Sequence, residues 1–387
     1  MNITGETIHS FFKFPIGITT QEAAKKGKTQ RHNKLYTHLQ TLILDEISMV
    51  RADLLDCVDV FLRHARENIF PFGGVQIVMI GDLYQLPPIL TSQEVEAFNR
   101  VYGSAHFFSA PVIQELLTDY PQDFVFLELQ KIYRQSDAQF ISLLNAIRTR
   151  THNSQHLQLL NTRAIHELNF DRYPAHIILT TTNALADEIN AANMQSLADR
   201  PLAFSATWSG EFDLKSAPTS ESLVLKKNSR VMLLNNDPEG RWINGTLGTI
   251  LDFEILEQEN DDVTAVIVKL DDGPQVNVTP YTWTAYRTTY NEDEAKLQTK
   301  PIGTYTQIPL KPAWAVTIHK SQGKTFERVM IDIGNGAFAS GQIYVALSRA
   351  TSLEGILLRK PIRHHDIRVD GQVSKFLLER LQVNSKL

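Results

Sequence analysis

The sequence predicts an α/β chain of two parallel-sheet units, with a small antiparallel barrel inserted into the second. Three observations predict it. Apolar runs rich in β-branched residues recur, each followed by a turn and then by helical periodicity. These runs are continuous rather than alternating, as strands buried on both faces of a helix-covered sheet must be. One stretch, from about residue 223 to 308, breaks the alternation with short strands and hairpin turns.

Taken in order, the strands are expected at Thr41–Leu44, Val75–Ile80, Phe124–Leu127, Ile177–Thr180, Trp314–Ile318 and Val329–Ile333. Helical spacing intervenes at Asp53–Glu67, Ala138–Thr149, His156–Glu167, Ala184–Leu197 and Gln342–Ser348. Inside the interrupting stretch, strands are expected at Arg230–Leu234, Gly245–Leu251, Thr264–Leu270 and Gln275–Val278, with hairpin-type turns at Asn244-Gly245 and Asp272-Gly273. The Ser/Pro-rich segment Lys215–Ser222 leads into it.

Composition narrows the function classes. A hydrophobic fraction of 43% with 21% charged residues is that of a globular chain, and 387 residues suffice for two or three domains. The longest apolar runs, such as Val75–Ile80, fall far short of the ~20 residues that span a bilayer. No charged n-region followed by an apolar stretch opens the sequence, so no membrane or secretory role is expected. Cys57 is the only cysteine, which excludes an internal disulfide and any multi-cysteine zinc site and fits a reducing, cytoplasmic setting. Its surroundings read as a helix face, so a buried structural thiol is expected. The net charge of −5 weighs against a basic surface for nucleic acid, but leaves room for a local channel.

Two strings carry chemistry. Leu42-Ile43-Leu44-Asp45-Glu46 ends an apolar strand in two carboxylates, at the sheet edge where open α/β sheets bind ligands. The acids suit a nucleotide hydrolase, in which one serves Mg²⁺ and the other polarises water, or they merely cap the next helix. Val78-Met79-Ile80-Gly81-Asp82-Leu83-Tyr84-Gln85-Leu86-Pro87-Pro88 is a second strand ending in a polar loop, with Gly81 permitting a tight exit and the prolines barring a helix. It brings Asp82 and Gln85 beside the first pair.

Following the Asp-Glu strand at this distance, the second string resembles motif III of superfamily 1 helicases. Later strings extend the resemblance: Gln130-Lys131-Ile132-Tyr133-Arg134 resembles motif IV, Thr317-Ile318-His319-Lys320-Ser321-Gln322-Gly323 motif V, and Ala346-Leu347-Ser348-Arg349 motif VI. Gly5-Glu6-Thr7-Ile8-His9-Ser10-Phe11-Phe12 resembles motif Ia. The ordered match runs from about Asn2 past Arg349 and is closest to the RecD/PIF-type, 5′→3′ branch.

The resemblance implies two RecA-like domains, the first N-terminally truncated (residues 1–134) and the second formed by 135–222 and 309–387, with an SH3-like barrel at 223–308. It implies ATP and Mg²⁺ as cofactors, with Asp45 holding the metal, Glu46 polarising the attacking water and Gln85 sensing phosphate. Asp82 and Gly323 would lie at the nucleotide, and Arg134 and Arg349 would be arginine fingers. Single-stranded DNA and duplex junctions are the implied partners of a monomer. Thr7, His9 and Ser10 would reach phosphates, and Phe11 or Phe12 a base, one of the two rings being core. His319, Ser321 and Gln322 would be the second domain's contacts. His319 has no partner at metal-ligand spacing.

One departure stands out. The family's phosphate loop, Gly-x-x-x-x-Gly-Lys-Ser/Thr, is absent. Gly27-Lys28-Thr29 has Glu22 in place of the first glycine, and Gly323-Lys324-Thr325 has Ile318 there. Motif Ia begins a few residues after Met1, so the resemblance implies that the family's first strand and helix are expected to be missing too. The expectation is a truncated or interrupted frame, inactive alone, with unpaired strands and exposed apolar surface. The alternatives are a single-strand-binding or regulatory protein without turnover, and complementation by an upstream polypeptide.

Overall fold

The computed structural model describes residues 5–15, 17–90, 94–129, 131–165, 173, 176–214, 217–256, 263–271, 273–291 and 296–384. Met1, Asn2, Gln130, Glu167, Lys215, Ser216 and Asp272, named in the expectations above, lie outside them.

The first unit opens with α1 (Ile8–Phe12), α2 (Thr20–Thr29) and α3 (Lys34–Thr37). Thr7 caps α1, and a Thr19/Glu22 capping box starts α2. Then come β1 (Thr41–Leu44), α4 (Ala52–Ala65), β2 (Gln76–Met79), α5 (Val95–Tyr102) and α6 (Pro111–Asp119). β1 and β2 pair in parallel, Leu44 opposite Met79. The helical spacing of Leu55, Val58, Phe61, Leu62 and Ala65 gives α4 a buried stripe. Phe61 joins Phe12, Phe14 and Tyr36 in an aromatic cluster with ring centroids 4.7–5.9 Å apart. Gly27 lets α2 lie against α4, since a Cβ there would sit 2.5 Å from the Phe61 carbonyl. Cys57 is buried as expected, and burial pushes its thiol up to about 12.

One expected strand is not formed. Phe124–Leu127 lies in no strand among the described residues, and Val125 and Leu127 are 73% and 81% exposed. β-propensity and apolarity make a strand only when a neighbour supplies the ladder.

The second unit begins with α7 (Ala138–Arg148), α8 (Ser154–Asn161), β3 (Ile177–Thr180) and α9 (Asn183–Ser196). Antiparallel strands follow: β4 (Leu202–Ser205), β5 (Thr207–Gly210), β6 (Ser222–Leu225), β7 (Arg230–Leu233), β8 (Leu247–Leu256), β9 (Val263–Leu270), β10 (Gln275–Val278), β11 (Tyr281–Asn291), β12 (Lys296–Gln307) and β13 (Leu310–Pro312). They form sheets ordered β10-β9-β8-β7-β13, β11-β12-β5 and β4-β6, so antiparallel structure starts about twenty residues before the expected boundary at 223. At the Asn244-Gly245 turn, Gly245 takes φ +101°, a conformation that favours glycine. The chain then returns to complete the parallel sheet with β14 (Ala315–Thr317), β15 (Val329–Asp332), α10 (Gln342–Ser348) and β16 (Ile356–Leu358). Its order is β14-β3-β15-β16, and every residue of its four strands is buried.

Two features join the units. α11 (Gly371–Asn384) crosses back to the first unit, where Phe376 stacks on Phe108 at 4.5 Å and Asp370 bonds His106 at 2.9 Å. In the other direction Leu86, from the loop after β2, is fully buried in the second unit's core.

Candidate functional site

The site lies where the carboxyl ends of β1 and β2 face α10 and the turn after β14. Past Leu44 the backbone turns sharply, with Glu46 left-handed at φ 50°, ψ 43° and its N–H bonded to Asp45 Oδ1 at 2.8 Å. Such a conformation costs a non-glycine residue energy and persists only where surroundings fix it. Burial, then the neighbouring Asp45 charge, raises the Glu46 pKa, which makes its carboxylate a stronger base. The loop after β2 passes close by. A Cβ on Gly81 would press within 3.1 Å of the Ile47 amide, so glycine suits the crossing.

Asp82 organises that loop. Its Oδ1 accepts the Tyr84 N–H at 3.1 Å, and its Oδ2 accepts the Tyr344 hydroxyl at 2.9 Å and Gln85 Nε2 at 3.4 Å. From the second unit, Gln322 Nε2 donates to Glu46 Oε2 and to Gln85 Oε1, both at 3.2 Å. Gln322 Oε1 is buried without a partner among the described residues.

Two arginines bracket Ser348. Arg134 donates to its carbonyl at 3.3 Å and Arg349 Nη2 to its hydroxyl at 2.8 Å. Arg349 is 1% exposed, and its other donors reach the Val345 and Lys324 carbonyls. Burial, then the like charge of Arg134, holds its pKa down to about 10, while Glu46 and Asp82 attract it. Two converging guanidiniums, neither bonded to a carboxylate among the described residues, suit an incoming polyanion. Asp45, exposed at the strand end, offers a hard oxygen donor. Mg²⁺ typically takes one or two carboxylates plus substrate phosphates, so the donor set fits, although no cluster of three or more metal-ligating side chains occurs among the described residues.

The nucleic-acid candidates are distributed unevenly. Thr7 and Ser10 are exposed at the start of α1, with the Thr7 hydroxyl accepting the Ser10 N–H and the Ser10 hydroxyl donating to Glu6. His9 is half-buried beside them. Phe12 is the core ring, while Phe11 packs edge-on against Phe12 at 4.9 Å and stays partly exposed. In the second unit His319 is half-buried, and burial lowers its pKa, favouring the neutral ring. Ser321 is fully buried with its hydroxyl on the Ile318 carbonyl, and Gly323 is exposed at φ +76°. Gln322 faces the first unit's acids. Neither Gly27 nor Gly323 opens a phosphate loop, the first lying in the last turn of α2.

Reading the strings missed three groups. Tyr344 and Arg148 both approach Asp82, the latter with Nε 4.0 Å from Oδ1. Lys311, on β13, lines a groove of about 560 Å³ with Lys320 and Thr317, and burial followed by the charges of Lys324 and Lys320 lowers its pKa to about 8. Nothing local marks these residues. Their shared partner Asp82 is 66 positions from Arg148 and 262 from Tyr344, and a lone lysine between prolines carries no motif.

Two parallel α/β units meet here, with Asp45 and Glu46 at one sheet edge and Gln322 and Arg349 carried by the other unit. A family model described as PIF1-like helicase matches residues 1–157, and a herpes helicase model matches residues 288–386. Human ATP-dependent DNA helicase PIF1 is 32% identical over 366 residues, 92% of this chain and 52% of the relative. The Pif1 helicase of Bdellovibrio bacteriovorus is 30% identical, over 92% of this chain and 74% of its own length. Bacteroides sp Pif1 in complex with ADP-AlF4 superposes with a TM-score of 0.81 at 33% identity, covering 97% of this chain and 83% of that one. Bacteroides Pif1 bound to single-stranded DNA gives 0.64 over the same shares at 34% identity. The chain belongs to the PIF1-like helicase family. It spans about half the length of the first curated relatives it matches, 52% of the human protein for example.

Proposed function

We propose that the chain carries the acid, sensor and arginine groups of an ATP-dependent helicase that moves 5′→3′ along single-stranded DNA. The observation that carries the reading is the Gln322 amide of the second unit bonded to both Glu46 and Gln85 of the first. A group so shared makes the hydrolytic residues depend on how the units sit together. Phosphoryl transfer is catalysed mainly by positioning and charge stabilisation. Glu46, with its raised pKa, takes the proton of the attacking water, which Gln85 orients. Arg134 and Arg349 neutralise charge as it develops on the transferred group. Asp45 would hold Mg²⁺, which supplies charge neutralisation on the phosphates when bound. Asp82 holds the Gln85 loop, and Gly323 turns the chain beside the nucleotide.

Closing and reopening the units around each nucleotide would step the second unit along the strand. Thr7, His9, Ser10 and Phe11 hold it on the first unit, and His319 and Lys311 on the second. Ser321 shapes the turn and Gln322 links DNA-side and nucleotide-side movements. The antiparallel insertion is read as the family's SH3-like domain. Relatives solved with single-stranded DNA and forked duplex DNA support these as the partners.

The 387 residues include no Gly-x-x-x-x-Gly-Lys-Ser/Thr string, so the chain as given binds single strands without turnover until a phosphate loop is supplied. The test is single-strand-stimulated ATP hydrolysis by the chain alone and by a version extended at residue 1 with a strand–phosphate loop–helix segment. We expect none from the first, turnover from the second, and its loss in the extended Glu46→Gln variant. Turnover that survives Glu46→Gln would remove Glu46 from the mechanism.

A further inference from the structure

The geometry points to Arg148 and Tyr344 as positioning residues: from the second unit they hold Asp82, and through it fix where Gln85 meets Glu46 and Gln322. Arg148 is the last residue of α7. Its guanidinium lies 4.9 Å over the Tyr84 ring, donates to Glu128 at 3.1 Å and brings Nε to 4.0 Å from Asp82 Oδ1. That Nε is buried and bonded to nothing among the described residues, so it is aimed at the carboxylate from just beyond hydrogen-bond range. Tyr344, on α10, takes the other Asp82 oxygen at 2.9 Å.

Packing leaves the loop little freedom around these two contacts. Leu86 is buried in the second unit's core, and at Gly341, which precedes α10, a Cβ would stand 2.4 Å from both the Tyr84 and Gln85 carbonyls. The links form one circuit. Arg148 and Tyr344 reach Asp82, Asp82 accepts from Gln85, Gln85 accepts from Gln322, and Gln322 also holds Glu46. Four of its contacts cross between the units, so rotation of the second unit reaches the acid pair through Asp82 as well as through Gln322. The consequence for turnover rests on the proposed roles of Glu46 and Gln85; the positional coupling does not.

The experiment is amide hydrogen exchange on the full chain without nucleotide, comparing Arg148→Gln, Arg148→Lys, Tyr344→Phe, Asp82→Asn and the Asp82→Asn/Arg148→Gln pair. In Arg148→Gln, exchange at residues 83–86 should rise about tenfold while α7 and β3 keep their protection. Arg148→Lys, which keeps a cation over Tyr84 and near Asp82, should restore most of the protection. Tyr344→Phe should loosen the same segment. Asp82→Asn should reproduce the loosening, and adding Arg148→Gln to it should add nothing. Unchanged loop exchange, equal loosening by Gln and Lys, loosening shared with α7 and β3, or additivity in the pair would each overturn the inference. Because no nucleotide is used, absence of ATP turnover bears on the proposed function and not on this result.

Discussion

The two parallel sheets of this chain are made from similar strings and stand in different surroundings. Thr41-Leu42-Ile43-Leu44 and Gln76-Ile77-Val78-Met79 are as apolar as Ile177-Ile178-Leu179-Thr180 and Val329-Met330-Ile331-Asp332. In the second unit every one of those residues is buried, whereas in the first Ile43 is 59% exposed, and Val78 and the following Ile80 are 36% and 50% exposed. Val125 and Leu127, in the same unit, are also exposed. A continuous apolar strand normally means cover on both faces. In the first sheet Leu42 and Leu44 pack toward the core that holds α4, while Ile43 between them is exposed, two residues before Asp45. We read that surface as the seat of the strand and helix that carry a phosphate loop in this family.

The largest expected effect tests whether each sheet supplies one half of a single site. In the extended, hydrolysing version, Arg349→Ala should lower single-strand-stimulated kcat by about 10³-fold or more, the usual worth of an arginine finger. Glu46→Gln should cost ~10²–10⁴-fold. A steady-state assay in which either variant keeps half its activity would separate that sheet from the chemistry.

Next comes the contrast in burial itself. Leu179→Ala, in the covered sheet, should cost about 2–5 kcal/mol in urea unfolding, through lost burial and an unfilled cavity. Ile43→Ala in the open sheet should fall within about 0.5 kcal/mol. In the extended version the Ile43 cost should rise toward the Leu179 value. Equal costs in the chain as given would mean the two sheets are not differently covered.

A third difference is electrostatic. Beneath the first sheet, burial raises the Asp56 pKa to about 6, although the Val112 N–H and Tyr102 bond it. A raised carboxyl contributes stability that is fully present below pH ~4 and lost as pH climbs through about 6. Asp56→Asn should flatten the dependence of Tm on pH between 4 and 7, an effect on the order of 2 kcal/mol. An unchanged slope would place the titration elsewhere.

The smallest effect concerns the second unit's groove, where Lys320 and Lys324 flank Lys311 and Asp187 and Glu221 also lie nearby. A depressed lysine pKa means the bound phosphodiester must favour its protonated form. Affinity for an oligothymidine should weaken by up to about tenfold per pH unit above pH 8. Lys311→Gln should weaken binding at pH 7 and flatten that dependence. A pH-independent affinity in the parent chain would remove Lys311 from the strand's path.

What the sequence revealed follows the same division. Three of the covered sheet's four strands were legible almost to the residue, because each string held its own apolar signal, whereas the three-residue edge strand β16 (Ile356–Leu358) was not expected. The gathering of polar groups at the strand ends was legible too, since Asp45, Glu46, Asp82 and Gln85 follow their strands closely. Phe124–Leu127 misled because strand formation there depends on a neighbour that the string cannot specify. The antiparallel insertion begins at Leu202 because β4 and β5 pair with β6 and β12, strands 17 or more residues downstream. Ser321 was expected as a DNA contact from its motif, yet it is fully buried with its hydroxyl closing a turn on the Ile318 carbonyl. Arg148 and Tyr344 were invisible because their meaning lies in Asp82, in the other unit.

The most direct measurement of the central claim is amide exchange at residues 42–44 and 77–80 in the chain as given and in the extended version. The account predicts about tenfold or greater protection of both strands on extension, with β3 and β15 unchanged, and ATP turnover appearing only in the protected species. Turnover gained without protection of β1 and β2 would contradict it, because phosphate would then be gripped somewhere other than beside the open sheet.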